Sequence, residues 1–184
     1  MLPHMKGVRG VRDRALILIG FAGAFRRSEL VALRLEDVPF VKEGVTLTVP
    51  RSKTDQLGRG RRVAIPYARS HACPVKALVA WLDLARIDTG PIFRNVGKAG
   101  AIGKQALSAQ TVAARVKEYA AKAGLSADQY SGHSLRAGLI TSAARAGVSS
   151  WKIRQQTGHK SEAMLQRYIR DAEIFEGNAA GSVL

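Results

Sequence analysis

Four short stretches of this sequence hold side chains that can grip an anion, move protons or attack an electrophile. They are Arg26-Arg27-Ser28-Glu29-Leu30, then Lys53, then His133-Ser134-Leu135-Arg136, and finally Gly158-His159 with Tyr168 nine residues later. Cleaving a phosphodiester without a metal demands such a set. Charge concentrates on the non-bridging oxygens in the transition state, and fixed cationic donors must meet it there. A nucleophile must attack phosphorus, and an acid must protonate the departing oxygen. Two arginines, one or two histidines, a lysine and a tyrosine meet those needs. His133 and Arg136 are three apart at a helix start, so both can face one point. The helix N-terminus adds partial positive charge suited to phosphate. Taken singly, each stretch has an ordinary explanation: a solvated arginine or lysine, a histidine at a helix end, a tyrosine in a core. Order and spacing together carry the argument.

The composition points the same way. The formal charge is +15, from 29 basic and 14 acidic residues, and such an excess costs self-repulsion unless anions meet it. Arginine outnumbers lysine 19 to 10. The planar guanidinium fork grips phosphate oxygens in pairs, so the bias favours phosphate contact. A chain of 184 residues, 46% of them hydrophobic, suffices for one domain with its own core. The single cysteine, Cys73, excludes a disulfide framework or a Cys-based zinc site within one chain. The four histidines are too scattered for a metal cluster; neither metal nor cofactor is expected. The apolar run 15–25 is too short to span a bilayer. It meets Arg26, Arg27 and Ser28 with no small-residue cleavage site. A soluble, intracellular protein in a reducing compartment is expected, with no membrane partner.

Rigid elements must carry these residues. Residues 1–8 read as a frayed leader, and 13–24 as a buried helix with Leu16, Ile19 and Gly20 on one face. Ser28 is placed to cap a second short helix running to Leu33. The period then changes. Val45, Leu47 and Val49 alternate, as do Val63 and Ile65, which is the strand signature. The polar stretch 53–60 joins them as antiparallel partners, and a strand near 39–42 completes a three-stranded sheet. Val75, Leu78, Val79 and Leu82 restore the helical period after Pro74. Residues 96–103 read as a Gly-rich loop, and 109–123 as a helix closed by Gly124. Ser134 is expected to cap a helix that turns Leu135, Leu139, Ile140 and Ala143 inward and ends at Gly147. Ser149 or Ser150 caps the next, ending at Gly158, and a last helix runs from 161 to about 170. The fold class is mostly α with a small antiparallel three-stranded β-sheet, α+β.

The ordered set resembles the catalytic domain of the tyrosine recombinases, the phage-integrase family. Arg26-Arg27-Ser28-Glu29-Leu30 resembles that family's first arginine box, and its spacing selects Arg26 over Arg27. Lys53, after Arg51-Ser52, resembles the catalytic lysine of a strand loop. His133-Ser134-Leu135-Arg136-Ala137-Gly138 is similar to the His-x-x-Arg box, and Thr157-Gly158-His159 with Tyr168 to the closing segment and nucleophile. The likeness runs over about residues 14–175.

The resemblance implies that Arg26 and Arg136 clamp the phosphate and that His133 and His159 donate or move protons. It makes Lys53 the general acid, Tyr168 the attacker that becomes a 3′-phosphotyrosine, and Glu29 an orienting group. It implies double-stranded DNA as partner, with Arg27, Arg51, Arg59, Arg61, Arg62, Arg154 and Lys160 on its backbone, and no cofactor. Affinity rather than sequence choice comes from such contacts. The family's helical N-terminal domain has no counterpart here, so a single catalytic domain is expected, with core 9–170 and tail 171–184. The longer protein is expected to assemble as a tetramer on DNA, exchanging that tail between subunits, in the cytoplasm with the nucleoid. Thr157 stands where leucine is commoner, and no chemical consequence is expected of it. Two other functions fit parts of the pattern: a type IB topoisomerase relaxing supercoils, and a non-catalytic helical DNA-binding protein. Relaxation without a cognate site marks the first, and indifference to Tyr168→Phe marks the second.

Overall fold

The structure is a computed structural model that describes residues 4–49, 60–159 and 161–173. Its first helix, α1 (Gly7–Ala22), begins earlier than the sequence suggests. The extra turns carry Arg12, which is buried because it lies against Asp13: Arg12 Nη2 donates to Asp13 Oδ1 at 2.6 Å. Tyr119 Oη donates to the second oxygen at 3.1 Å, and Arg12 Nη1 to Arg94 O at 3.2 Å. A buried charge is tolerable only when paired and hydrogen-bonded in this way. Burial raises the Asp13 pKa above its ordinary value, opposed first by Arg12.

The second helix, α2 (Arg27–Ala32), starts one residue before the expected cap Ser28. Arg26 occupies the N-cap, and the Glu29 carboxylate accepts its backbone N–H at 3.0 Å. The strands β1 (Phe40–Val41), β2 (Gly44–Val49) and β3 (Arg61–Pro66) form the expected antiparallel sheet in the order β1-β2-β3. Val45 pairs with Ile65 and Leu47 with Val63, which turns both apolar sets onto the core. Helix α3 (Pro74–Ala85) packs on α1 and buries Trp81, whose Nε1 donates to Ile92 O at 2.8 Å.

Residues 96–103 are not one loop. Strands β4 (Arg94–Val96) and β5 (Ile102–Ala106) form a second antiparallel hairpin, with an irregularity in its register. Alternating burial is almost absent along β5, so period two leaves no mark in its sequence. Helix α4 (Ala109–Lys122) follows, capped by Ser108 Oγ, which accepts from Thr111 N at 3.1 Å.

Three helices complete the chain: α5 (Ser134–Arg145), α6 (Ser150–Thr157) and α7 (Ala163–Glu173). The N-cap of α5 is His133, not Ser134. Ser134 Oγ instead accepts from Ser131 N at 2.9 Å, closing the preceding turn. Arg136, Leu135 and Ile140 are buried, whereas Leu139 and Ala143 are only half-buried. A small satellite core of Ile140, Ala144, Ile153 and Leu165 joins α5, α6 and α7, with Tyr168 packed against it. Burying Leu165 contributes roughly 2 kcal/mol to holding α7 in place. Gly20 lets α5 approach α1: a Cβ there would lie 2.8 Å from Leu135 Cδ1. Among the described residues, no helix is long and apolar enough to cross a membrane.

Candidate active site

The end of α1, the start of α2, the start of β3, the start of α5, the turn after α6 and the middle of α7 meet at one place. Arg136 lies at its floor, with 1% of its surface exposed. Its Nη1 donates to Ala24 O at 2.8 Å. Ala24 holds a φ of 48° in the turn between α1 and α2. That conformation costs a non-glycine residue about 1 kcal/mol, and it accompanies the carbonyl that anchors the arginine. Burial first, then the charges of Arg26 and Arg61, lowers the Arg136 pKa to about 10, so it stays charged at neutral pH.

Arg26 stands beside it, about one third exposed. Its Nη1 donates to Glu29 Oε1 at 2.6 Å. Buried Glu29 thus holds both the backbone and the side chain of Arg26, and its Oε2 also accepts from Arg61 Nη2 at 3.1 Å. Arg61, expected on the DNA backbone, has a side chain only 17% exposed. Its guanidinium lies 5.7 Å from the Phe25 ring centroid, and its Nη1 donates to Gln156 O. Burial lowers its pKa, Glu29 opposing. Period two marks this inward turn: Arg61 shares its face of β3 with Val63 and Ile65, while Arg62 faces out.

The two histidines flank the tyrosine. His133 Nε2 lies 2.9 Å from Tyr168 Oη. Both His133 and His159 rings sit 6.5 Å, centroid to centroid, from the Tyr168 ring. His159 Nε2 is 3.2 Å from Arg136 Nη2. Burial, then Arg136 and Arg26, lowers the pKa of His133. The same three causes, in that order, lower His159 to about 4. Both shifts favour the neutral imidazole near pH 7. Thr157, expected to be chemically silent, lies 2.8 Å from His159 Nδ1 through its Oγ1.

An open cleft of about 400 Å³ lined by Arg26, Arg27, Ser28, Ser131, Gly132 and His133 leads to this cluster. Arg27 and Arg62 are exposed and Arg154 is half-buried. Lys53, Arg51, Arg59 and Lys160 lie outside the described residues, as do residues 174–184 of the expected tail. Sequence reasoning passed over two residues, Thr157 and Gln156. Thr157 continues the buried stripe of α6 one turn beyond Ile153, and that spacing is a legible signal. Gln156, whose Nε2 donates to Ala22 O at 2.8 Å, has no such mark.

Residues 2–173 match the phage integrase family. A protein described as an integrase/recombinase xerD homolog, from Selenomonas ruminantium, is 49% identical over 171 residues, which is 92% of this chain and 50% of that protein. The XerH site-specific recombinase, solved bound to a palindromic difH substrate in a post-cleavage complex, is similar in fold with a TM-score of 0.77. Its identity is 19%, over 98% of this chain and 48% of that one. The XerA recombinase structure is similar with a TM-score of 0.68 and 25% identity, over 91% of this chain and 57% of that one. The chain spans about half the length of the curated relatives it matches.

Proposed function

Because this chain belongs to the phage integrase family, we propose that it is the catalytic domain of a site-specific DNA recombinase, cutting and rejoining strands through a 3′-phosphotyrosine. The observation that carries the reading is the contact of Tyr168 Oη with His133 Nε2 at 2.9 Å, beside two arginines that share one cluster. Arg26 and Arg136 take the non-bridging oxygens of the scissile phosphate, each able to give paired, charge-assisted bonds. Tyr168 Oη attacks phosphorus, and its proton passes to the neutral His133 imidazole. The bond from phosphorus to the 5′ oxygen breaks, and that oxygen takes a proton from Lys53. Attack by a 5′-hydroxyl from another strand reverses each step and restores the phenol. The phosphotyrosine conserves the bond energy, so the exchange needs no nucleotide hydrolysis. His159 donates or moves a proton, and Glu29 orients Arg26 and Arg61.

The substrate is double-stranded DNA, and the exposed Arg27 and Arg62 meet its backbone together with Arg51, Arg59, Arg154 and Lys160. Exchange between two duplexes requires several copies, and assembly into a tetramer on DNA, in the cytoplasm with the nucleoid, completes the proposal. The catalytic domain spans residues 1–184.

The test is covalent trapping on a pool of nicked duplexes of randomised sequence, in buffer containing EDTA, followed by peptide mapping of the adduct. The adduct is expected on Tyr168 and is lost in Tyr168→Phe while DNA binding persists. An adduct that survives Tyr168→Phe rejects the nucleophile. Arg26→Ala and Arg136→Ala are each expected to slow adduct formation by roughly 10³–10⁵-fold, the worth of a phosphate-clamping arginine. A loss below about tenfold removes that arginine from the clamp.

A further inference from the structure

Thr157 closes α6 and is fully buried. Its Oγ1 donates to Ile153 O, the carbonyl one turn back, at 2.7 Å. Arg154 O, at 3.5 Å, is too distant to compete. A hydroxyl has one proton to give. Since a carbonyl can only accept, that proton is committed to Ile153. The 2.8 Å contact between Thr157 Oγ1 and His159 Nδ1 then has one consistent polarity: the ring nitrogen donates and the hydroxyl oxygen accepts. His159 therefore carries its proton on Nδ1. Arg136 Nη2 lies 3.2 Å from Nε2 and 3.4 Å from Nδ1, which places it over the imidazole ring rather than on the in-plane lone pair of either nitrogen.

We propose that Thr157 is a positioning residue that fixes His159 in the Nδ1–H tautomer and holds its ring against the buried Arg136 guanidinium. Free imidazole exchanges between two neutral tautomers, and the partner of one nitrogen decides which is present. The choice matters because His159 is neutral over the working range. Burial, Arg136, Arg26, His133 and Arg61 all face it and disfavour a further charge, holding its pKa at about 4. The tautomer follows from the hydrogen bonds alone; its consequence for the rate rests on the strand-cleavage reading above.

The test separates the two. Imidazole nitrogen and carbon correlations are recorded by NMR on the whole chain without DNA. The four histidines are few enough to resolve, and a His159→Gln sample identifies the signal. The wild-type ring is expected as Nδ1–H, and Thr157→Ser keeps it so. Thr157→Val, which retains shape but lacks the hydroxyl, moves the population toward Nε2–H by on the order of fivefold to tenfold, the worth of one hydrogen bond. A wild-type Nε2–H ring overturns the proposal whether or not the variants fold, and so does a folded Thr157→Val chain with an unchanged tautomer. Adduct formation on saturating nicked duplexes is the second measurement. Thr157→Val is expected to slow it while the Kd for DNA stays constant. A changed tautomer with an unchanged rate overturns the positioning role. Wild-type protein that forms no adduct, with the Nδ1–H ring observed, refutes the strand-cleavage reading and leaves the tautomer assignment standing.

Discussion

At the scale of single residues the site is a contest between burial and charge. Three arginines and a glutamate share a small volume, and two imidazoles are kept neutral because a further positive charge there is costly. This has a measurable effect on stability. The His159 pKa falls from 6.5 to about 4 on folding, so between those values the unfolded chain binds a proton that the folded chain refuses. By linkage, stability rises with pH across that window and is lost as pH falls from about 6.5 toward 4. Thermal melts of wild type and His159→Gln across the window are expected to diverge, the variant being less sensitive to acid. Parallel curves would mean that His159 titrates alike in both states. The chemistry-bearing types at this scale were legible because so few side chains can serve a phosphate. The polarity of the Thr157–His159 bond was not legible, since it depends on where one hydroxyl proton goes.

At the scale of elements, most helices and the three-stranded sheet could be read from periodicity, while their ends and their minor partners could not. Ser28 and Ser134 both have the right type to cap, yet the caps are Arg26 and His133. In each case the residue that caps also belongs to the site, and another local bond closes the turn: Glu29 Oε2 accepts from Arg26 N, and Ser134 Oγ from Ser131 N. The β4–β5 hairpin escaped because its residues are mostly exposed and carry no alternation. Arg136 was read as a member of the cluster but Arg61 only as a DNA-backbone contact, and neither reads as inward-facing until strand parity and the helix stripe are counted. One junction joins these elements: the αL residue Gly158, with φ of 68°, over which the Arg61 side chain is laid. A Cβ there would lie 2.8 Å from Arg61 Cδ. Gly158→Ala is therefore expected to destabilise the fold by about 1 kcal/mol or more through backbone strain alone. It should also slow cleavage by displacing Arg61 from Glu29. Denaturant titration reads the first effect and saturating adduct kinetics the second. A variant with wild-type stability and rate would show that the turn and Arg61 are uncoupled.

At the scale of the whole molecule, the charge of +15 is not spread evenly in function. Some of the 29 basic residues are spent inside: Arg12 on Asp13, Arg61 on Glu29, Arg136 on a backbone carbonyl and a histidine. On the proposed reading, only the outward remainder displaces counterions from DNA. Each phosphate neutralised contributes about 0.9 to the slope of log affinity against log salt. Arg62 and Arg61 are adjacent on β3 and face opposite ways, which makes them a matched pair for separating the two uses of charge. Removing Arg62 as Arg62→Ala is expected to lower the salt slope by about one and to weaken binding uniformly across DNA sequences. Arg61→Ala removes the same formal charge and should leave the slope nearly unchanged, because its guanidinium is held by Glu29 and the Gln156 carbonyl. Its cost should fall on the saturated rate of adduct formation, through the loosened Glu29 and the Arg26 that Glu29 holds. Affinities of both variants for one mixed-sequence duplex, measured over a range of salt, decide the matter. If Arg61→Ala flattens the slope as much as Arg62→Ala does, Arg61 swings out to the phosphates and the internal account of its charge is wrong. If only Arg62→Ala does, net charge alone overstates the protein's grip on DNA, and the count must be made on the outward face of the sheet.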